Sequence, residues 1–253
     1  MNLLQEGARE LGLDLTESQL AAFSVYYREL VDWNQRFNLT AVTDYEEVQT
    51  RHFLDSLTCL LAMAPRRSDG RLEADAVVGR AIDIGAGAGF PGVPLKIVCP
   101  RLRLTLLESV GKKARFLEHL AATLGLAGVE VIAARAEDLA RTPVHRESYD
   151  FAIARALAPL PVLAEYCLPF LRQGGLLIAL KKGDISRETT EARAAIRVLG
   201  ARRREPLPVS LSLLPDSRFL VLIDKVAPTP KAYPRRAGLP AKMPIGSRTT
   251  GKP

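Results

Sequence analysis

The residues best suited to hold a small molecule form one glycine-rich segment, Asp83-Ile84-Gly85-Ala86-Gly87-Ala88-Gly89-Phe90-Pro91-Gly92. Glycines let the backbone turn sharply and let a ligand approach the main-chain amides closely. The segment leaves a predicted strand and enters a predicted helix, the context in which such a triplet binds a nucleotide. The candidate cofactor contacts here are Asp83, Gly85, Gly87, Gly89 and Phe90, and a turn without a ligand is the structural alternative.

The spacing of these glycines favours one kind of nucleotide. In the fingerprint for dinucleotides the third glycine stands five residues after the first, but Phe90 holds that position and Gly89 comes earlier. The tighter loop, with Asp83 before it, suits a nucleoside that carries a sulfonium amino acid in place of a pyrophosphate. The spacing therefore favours S-adenosylmethionine over NAD.

Two further turns carry carboxylates that can hold an adenosine. Glu108 ends the second predicted strand, where a carboxylate can accept both ribose hydroxyls. The third turn, Arg135-Ala136-Glu137-Asp138, has an acidic pair that can accept the adenine amino group while main-chain amides meet the ring. NAD-dependent enzymes also use the Glu108 device, and helix N-termini favour acids in any case. A solvated surface position is the alternative for each carboxylate.

The fourth turn, Ala154-Arg155-Ala156-Leu157-Ala158-Pro159, is where methyltransferases usually present the acceptor. It lacks the Asp/Asn-Pro-Pro-aromatic motif of enzymes that methylate exocyclic base amines, and no cysteine is placed to attack a pyrimidine ring. Arg155 remains as the candidate catalytic residue and as a cofactor contact. An ion pair with Glu137 or Asp138 is the structural alternative.

Short apolar strands must position these turns. Strands are predicted over residues 81–84, 102–107, 129–133, 151–154, 176–180 and 219–226, with helices near 93–98, 112–124, 137–140, 160–170 and 186–199 between them. Such alternation predicts a mostly parallel sheet with helices on both faces. Ligands of these sheets bind beyond the carboxyl ends of the strands, which is where all four turns lie.

Four regions are predicted along the chain: a helical cap over residues 1–64, an exposed connection over 65–79, the cofactor-binding domain over 80–227 and a C-terminal arm over 228–253. In the cap, Thr16 and Gln19 have the spacing of a capping box. A second cap helix has an apolar stripe from Val48 to Leu61.

Positive charge is concentrated in the arm. The formal net charge is +7, and the arm has six basic residues and no acidic one: Lys231, Arg235, Arg236, Lys242, Arg248 and Lys252. Its prolines disfavour regular helix and predict an extended segment. Neutralisation of RNA phosphates, through Arg235 and Arg236 among others, is the functional interpretation; a partly disordered, solubilising terminus is the alternative.

Composition excludes several classes of protein. No stretch approaches the roughly 18 apolar residues of a membrane helix, and the first residues do not resemble a secretory signal. The three cysteines are odd in number and far apart, which argues against disulfides and a zinc site. The expectation is a cytoplasmic, monomeric protein without metal.

Motifs along nearly the whole chain resemble the glucose-inhibited division protein B family, bacterial 16S ribosomal RNA guanine-N7 methyltransferases. The resemblance is carried by Trp33-Asn34, Phe37-Asn38-Leu39-Thr40, Arg51-His52-Phe53-Leu54-Asp55-Ser56, the glycine segment through Leu95, Leu107-Glu108-Ser109, Lys112-Lys113, Arg135-Ala136-Glu137, Ala154-Arg155-Ala156 and Lys181-Lys182-Gly183. It is specific, because the two N-terminal motifs are not general methyltransferase features.

The resemblance implies a Rossmann-like class I methyltransferase with a seven-stranded sheet, S-adenosylmethionine as cofactor, and one guanine (position 527) of 16S RNA, free or in a 30S assembly intermediate, as target. It adds Ser109, Ala136 and Glu137 to the cofactor contacts. It makes Asn38, Arg51, His52, Lys181 and Lys182 candidates for binding the base or its phosphates. Ala86 departs from the small hydroxyl residue often found there, and the doubled lysine leaves the functional one open.

Guanine N7 has an exposed lone pair and no proton, so the implied reaction needs in-line placement and no general base. Proximity and orientation can supply roughly 7–11 kcal/mol, and no catalytic base is assigned. The bland alternatives are a helix cap for Asn38, a surface ion pair for Arg51 and a buried hydrogen-bonded side chain for His52. Two other functions stay open, an NAD(P)-dependent oxidoreductase and a non-catalytic RNA-binding protein.

Overall fold

Apolar strands from the middle of the chain pair into one sheet at the centre of the molecule; the computed structural model describes residues 1–247. The strands are β1 (Gly79–Ile84), β2 (Leu102–Glu108), β3 (Val129–Ala133), β4 (Tyr149–Arg155), β5 (Leu171–Lys182), β6 (Ala201–Arg203), β7 (Leu207–Leu211) and β8 (Leu214–Lys225). β1 to β5 are parallel in the order β3-β2-β1-β4-β5, and β8 runs antiparallel beside β5. The predicted α/β class with a mostly parallel sheet is confirmed.

Within residues 1–247 the sheet has eight strands rather than the seven expected. β6 and β7 both pair with the same edge of β8, through Arg203↔Ile223 and Leu207↔Leu220. Pro206 lies between them and has no N–H to donate to a ladder. The seventh strand is therefore present as two short pieces, and each of the six strands predicted by position is found.

Helices cover both faces of the sheet. They are α1 (Asn2–Leu11), α2 (Glu17–Asn34), α3 (Tyr45–Glu47), α4 (Asp55–Leu57), α5 (Leu60–Met63), α6 (Gly92–Val98), α7 (Gly111–Thr123), α8 (Ala136–Leu139), α9 (Leu160–Cys167), α10 (Ser186–Glu191), α11 (Arg193–Val198) and α12 (Leu239–Lys242). Leu104 and Leu106 of β2 point to the face covered by α2, α6 and α7. Leu107 points to the opposite face, covered by α8, α9 and α11. The alternation within one strand thus builds two cores.

The N-terminal cap contains the predicted capping box, in which Thr16 and Gln19 bond reciprocally at the start of α2. The predicted second cap helix is interrupted. A π-helix over Val48–Leu54 separates α3 from α4 and carries Arg51 and His52. π-Turns are rare and occur frequently at functional sites.

The C-terminal segment, residues 228–247, packs against the body of the protein. Arg146 donates to the carbonyls of Thr229 and Tyr233 at 2.8 Å, and Arg141 donates to that of Pro234. The segment also contains α12. The segment therefore packs on the body, unlike the partly disordered terminus given as the alternative, and the predicted lack of regular helix is wrong at α12. Arg248 and Lys252 lie outside the described residues.

Within residues 1–247, no helix is both long and apolar enough to cross a membrane. The same part of the chain contains no group of three or more His, Cys, Asp or Glu side chains arranged to hold a metal ion.

Candidate functional site

A cavity of about 780 Å³ lies beyond the carboxyl ends of β1 to β4. This volume is within the usual range for a cofactor site, roughly 300–1,000 Å³. On the sheet side it is lined by Ile84, Gly85, Leu107, Ser109, Ala134, Arg135, Ala136, Glu137, Leu157, Ala158 and Pro159. Helix α9, Glu191 of α10 and the C-terminal segment complete the lining. The fold thus brings the four turns together, with Gly85, Ser109, Ala136 and Glu137 of the predicted contacts at the cavity.

The glycine loop needs its glycines for two separate reasons. Gly85, Gly87 and Gly89 all have positive φ, at 72°, 59° and 97°. At Gly89 space is also missing, because an added Cβ would lie 2.6 Å from the hydroxyl oxygen of Tyr26. That hydroxyl donates to the carbonyl of Ala88 at 2.6 Å. Helix α2 of the cap is therefore fastened directly to the loop.

We expect Gly89→Ala to lower the free energy of unfolding by about 2–5 kcal/mol, since overpacking (roughly 1–3 kcal/mol) adds to the backbone cost of roughly 1–2 kcal/mol. Gly87→Ala is the matched control, because its added Cβ has nothing nearer than 3.8 Å. Its free energy of unfolding should fall only by the backbone contribution. Denaturant titrations of both variants test this. Equal losses would show that the Tyr26 contact does not restrict the loop.

Asp83 shapes the loop from behind. Its side chain is fully buried, and Oδ2 accepts the Gly92 amide at 2.8 Å. Oδ1 has no partner within the described part of the chain. Burial raises the Asp83 pKa to about 7. The side chain does not line the cavity, so we revise the predicted direct contact to a role in holding the loop.

Glu108 links the first two turns. Its Oε2 accepts the Gly87 amide at 2.9 Å and its Oε1 accepts the Val110 amide at 2.8 Å. The carboxylate is 6% exposed and sits between the cavity-lining Leu107 and Ser109. Each carboxylate oxygen has a second lone pair free, so Glu108 can still accept hydrogen bonds from the ribose hydroxyls.

We expect Glu108→Ala to weaken cofactor binding by roughly 1.5–3 kcal/mol through the loss of a charge-assisted hydrogen bond. The loss of the two amide contacts should also lower the melting temperature. Calorimetric titration and thermal unfolding of the same preparation separate the two effects. Unchanged affinity together with an unchanged melting temperature would remove Glu108 from the site.

The acidic pair of the third turn is divided between two environments. Glu137 is 4% exposed, lines the cavity and accepts the Gly238 amide through Oε1 at 2.8 Å. Asp138 is exposed on the surface. Of the two, Glu137 is therefore the residue placed to meet an adenine, and it also contacts the C-terminal segment.

Arg155 points toward the cap and not into the cavity. Its guanidinium donates to the Arg51 carbonyl at 3.0 Å and to Asp55 Oδ2 at 3.1 Å, and its Cζ lies 4.9 Å from the ring centre of Phe90. The ion pair with Glu137 or Asp138 that the sequence offered as an alternative is wrong, because Arg155 pairs with Asp55. The predicted cofactor contact of Arg155 is revised accordingly.

His52 lies beside Arg155 and covers Phe90. The two rings stack 4.4 Å apart, and Phe90 is only 5% exposed. Phe90 therefore supports His52 and Arg155, and its predicted contact with the cofactor is revised. His52 Nδ1 lies 3.3 Å from the Arg155 guanidinium and 3.2 Å from the Arg51 carbonyl, and Nε2 lies 2.9 Å from the Thr40 hydroxyl, so both ring nitrogens have hydrogen-bond partners.

His52 is neutral at physiological pH. Burial, followed by the charge of Arg155, lowers its pKa to about 3, and the charge of Lys182 contributes. The one lone pair of the neutral ring faces Arg155 if it is on Nδ1 and the Thr40 hydroxyl if it is on Nε2, so neither tautomer leaves it free for a substrate proton. The buried, hydrogen-bonded alternative for His52 therefore describes its geometry in the protein.

Two buried charged residues near Arg155 were not predicted from the sequence as part of the site, Arg218 and Asp55. Arg218 of β8 is 4% exposed and donates to Asp55 Oδ1 at 2.6 Å. Asp55 is 5% exposed and so bridges Arg155 and Arg218. Asp55 stood in a motif, but nothing in the sequence around Arg218 indicated a partner in the cap.

The doubled lysine separates into two environments. Lys181 donates to Glu188 at 2.8 Å and to the Ala158 carbonyl at 3.1 Å, and its side chain is 14% exposed. Lys182 is 54% exposed, with Asp216 at 3.8 Å. Lys181 therefore fixes the fourth turn from inside, whereas Lys182 is accessible to a polyanion.

The other substrate-binding candidates lie at the surface, with one exception. Asn38 is exposed, and Arg51 is exposed and paired with Glu47 at 3.2 Å. Arg236 is also exposed. Arg235 is the exception, because it forms a two-pronged ion pair with Glu165, which is 1% exposed. The predicted phosphate contact of Arg235 is therefore corrected to a structural pair.

Comparisons with known proteins show which family the chain resembles. A family model described as GidB, rRNA small subunit methyltransferase G, matches residues 19–208. A protein of Dehalococcoides mccartyi (strain CBDB1) named ribosomal RNA small subunit methyltransferase G is 48% identical over 97% of this chain and 100% of its own length. A protein of the same name from Roseiflexus sp. (strain RS-1) is 49% identical with the same coverage. A solved structure from Corynebacterium glutamicum, 20% identical, has a TM-score of 0.50 over 80% of this chain and 90% of that one; it bears on the fold alone.

Proposed function

Because the chain belongs to the rRNA small subunit methyltransferase G family, we propose that it transfers a methyl group from S-adenosylmethionine to N7 of one guanine, position 527, in bacterial 16S ribosomal RNA. The observation that carries the proposal is the cavity at the four strand ends, with Ser109 and Glu137 in its wall and Glu108 beside it.

The residues of the cavity fit S-adenosylmethionine. Glu108 has lone pairs for the ribose hydroxyls, and Glu137 is placed for the adenine amino group. Leu107, Leu157 and Val162 offer apolar surface to a purine. When bound, the cofactor supplies an electrophilic methyl group on a sulfonium.

An oxidoreductase that binds a dinucleotide fits less well. A pyrophosphate is commonly held by the free amides at the N-terminus of the helix after the glycine loop. Here α6 begins at Gly92, and the Gly92 amide is already bonded to Asp83. We therefore expect S-adenosylhomocysteine to bind and NADH not to bind in parallel calorimetric titrations. Tighter binding of NADH would favour the oxidoreductase.

The acceptor guanine is proposed to bind on the cap side of the loop. Arg155, His52 and Lys182 lie close together there, and Leu157, at the cavity, is 37% exposed. Lys182 and Arg51 are exposed cations that would meet the RNA phosphates. Asn38 is also exposed and is a further candidate for contact with the RNA. Because ribosomal RNA is the substrate, the protein is proposed to act in the cytoplasm, on 16S RNA either free or in a 30S assembly intermediate, as a monomer.

The proposed chemistry relies on placement. Guanine N7 has no proton to lose, so a base is not required, and His52 is neutral with its Nδ1 occupied. Cys59, Cys99 and Cys167 are buried thiols whose pKa values are raised by burial, and none is placed to act as a nucleophile. In-line orientation of the two reacting atoms is then the contribution left to this chain.

The deciding experiment is to incubate the protein with 16S RNA and labelled S-adenosylmethionine and to map the label by mass spectrometry. We expect one methylated guanine, at position 527. Label in another nucleotide would correct the target, and no label with any form of the RNA, from free 16S RNA to the 30S subunit, would favour a non-catalytic RNA-binding protein.

A further inference from the structure

We propose that the C-terminal segment, residues 228–247, is a wall of the cofactor site that contacts the adenosine end of the ligand. The inference rests on the proposed cofactor. The segment lies entirely outside residues 19–208, which the family model matches. The named relatives, by contrast, are aligned over 97% of the chain.

The first observation is that the segment lines the cavity. Its contributions are Ala241, Pro244, Ile245, Gly246 and Ser247. Ile245 also packs against the apolar cluster on the α8–α9 side of the sheet. These residues line the same cavity as Ala136 and Glu137 of the turn after β3, and the amide of Gly238 in the segment is bonded to Glu137. That turn follows the strand whose end holds adenine in nucleotide-binding sheets of this kind, so the nearest part of the ligand is the purine.

The second observation is that the segment is held by buried polar contacts. Arg235 pairs with Glu165 through both carboxylate oxygens, and the Arg235 amide donates to the same carboxylate at 2.7 Å. Glu165 is 1% exposed, so this pair is not a loose surface contact. A buried carboxylate that loses its partner is strongly destabilising, and the pair therefore fixes where the segment runs.

The third observation is that Glu137 contacts both the segment and the cavity. Its Oε1 accepts the Gly238 amide at 2.8 Å, and its side chain also lines the cavity. A carboxylate can accept more than one donor, so an adenine amino group can bind while the Gly238 contact persists. The position of the segment and the orientation of Glu137 toward the ligand are then coupled.

The fourth observation is that the end of the segment packs closely against α11. Gly246 has φ +86°, and a Cβ added there would lie 2.6 Å from the Cβ of Ala194 in α11. A side chain at residue 246 would therefore move the end of the segment off α11. This contact provides a point substitution that disturbs the wall while leaving the Arg235–Glu165 pair in place.

The test is calorimetric titration of S-adenosylhomocysteine into four proteins. They are the full chain, a chain ended after Ser247, a chain ended after Ala227, and the full chain with Gly246→Val. We expect the chain ended after Ala227 to bind at least about tenfold more weakly, since an apolar wall of the purine site is lost. Gly246→Val should also weaken binding. The chain ended after Ser247 should bind like the full chain, which separates the wall from the two cations beyond it.

Lys231→Ala is the matched control, because Lys231 is exposed at the start of the segment and does not line the cavity. Thermal unfolding is measured in parallel; if the chain ended after Ala227 is unfolded, Gly246→Val decides. Equal affinity of the full chain and the Gly246→Val chain would overturn the proposal. So would a deletion that lowers RNA affinity and spares the cofactor, which would make the segment an RNA arm. Failure of the full chain to bind S-adenosylhomocysteine would instead overturn the proposed function.

Discussion

Asp55→Ala is expected to lower the free energy of unfolding by about 3–5 kcal/mol, the usual cost of removing one partner from a buried ion pair. Asp55 is 5% exposed and is bonded to Arg218, itself 4% exposed, at 2.6 Å. The same carboxylate accepts Arg155 at 3.1 Å. Without it, the buried guanidinium of Arg218 keeps its charge and is left with the exposed carboxylate of Asp216, 3.7 Å away, as its counter-charge. The Nε of Arg218 already has no hydrogen-bond partner within the described residues.

Removal of the Asp55 carboxylate should also disturb the candidate substrate-binding residues. Asp55 begins α4, directly after the π-helix that carries His52. Arg155, at the end of β4, contacts this π-helix through the Arg51 carbonyl and His52 Nδ1. Removing the carboxylate frees Arg155 to move, which displaces the groups proposed to face the acceptor base. We therefore expect weaker RNA binding in addition to lower stability.

Two variants separate this effect from a general loss of charge. Asp55→Leu combined with Arg218→Met removes both partners and should recover much of the stability, because well-packed apolar replacements of buried pairs are often neutral. Glu47→Ala breaks the exposed pair with Arg51, 3.2 Å apart, and should cost only roughly 0.2–1 kcal/mol. A loss at Asp55→Ala no larger than that at Glu47→Ala, in denaturant titrations, would contradict a buried hub.

The sequence could predict the parts of the site that follow from the period of the strands. Alternating strands and helices place the carboxyl ends of parallel strands at one edge, and the turns after β1, β2 and β3 do meet there. Gly85, Ser109 and Glu137 were predicted on that basis and lie at or in the cavity wall. Local rules of this kind need no knowledge of the partner element.

Contacts between distant segments could not be predicted in the same way. Arg218 and Asp55 are 163 positions apart, and Arg235 and Glu165 are 70 apart. Each of these four residues, taken alone, reads as an ordinary polar position, because charged side chains are mostly exposed. Pairing and burial are decided by the packing of the cap and of the C-terminal segment on the sheet. The same reason explains why Arg155 was assigned the wrong partner.

The π-helix shows a further limit. The apolar residues from Val48 to Leu60 fit a single helical stripe, and Val48, Phe53, Leu57 and Leu60 are indeed buried. The stripe gives no sign of the altered hydrogen bonding over Val48–Leu54, since a π-turn changes the main chain while the same side chains stay in the core. The direction of His52 was therefore beyond a periodicity argument.

The last prediction concerns the reacting atom, and it has the widest range of outcomes. If guanine N7 accepts the methyl group, the single-turnover rate at saturating cofactor should stay nearly flat from about pH 6 to 9, because no proton leaves before or during attack. An acceptor that must lose a proton with a pKa above this range would instead give a rate rising tenfold per pH unit, about a thousandfold over the window. The product should be a cationic 7-methylguanine, so borohydride followed by aniline should cleave the RNA chain at one site.

Two groups of the protein, His52 and Asp83, could change the pH dependence of the rate by their own ionisation, and variants of both serve as controls. The folded-state pKa of His52, about 3, lies below its usual value of 6.5. Protonating it therefore costs stability only as the pH falls below about 6.5, and the ring stays neutral across most of the window. Asp83 is different, because its pKa is raised to about 7. Its ionisation costs stability as the pH rises from about 4 through 7, so this change falls inside the window. Asp83→Asn keeps an oxygen to accept the Gly92 amide and removes the titration.

We therefore expect any residual slope in the wild-type profile to disappear in Asp83→Asn, and His52→Gln to slow the bound complex by less than about tenfold, since only positioning is disturbed. Glutamine retains an oxygen that can accept from Arg155, whose guanidinium lies 3.3 Å from His52 Nδ1. Loss of a general base would cost on the order of 10²–10⁴ in rate instead. A fall of that size in His52→Gln, or methylated RNA that resists borohydride and aniline while the rate climbs with pH, would mean that an atom other than N7 accepts the methyl group.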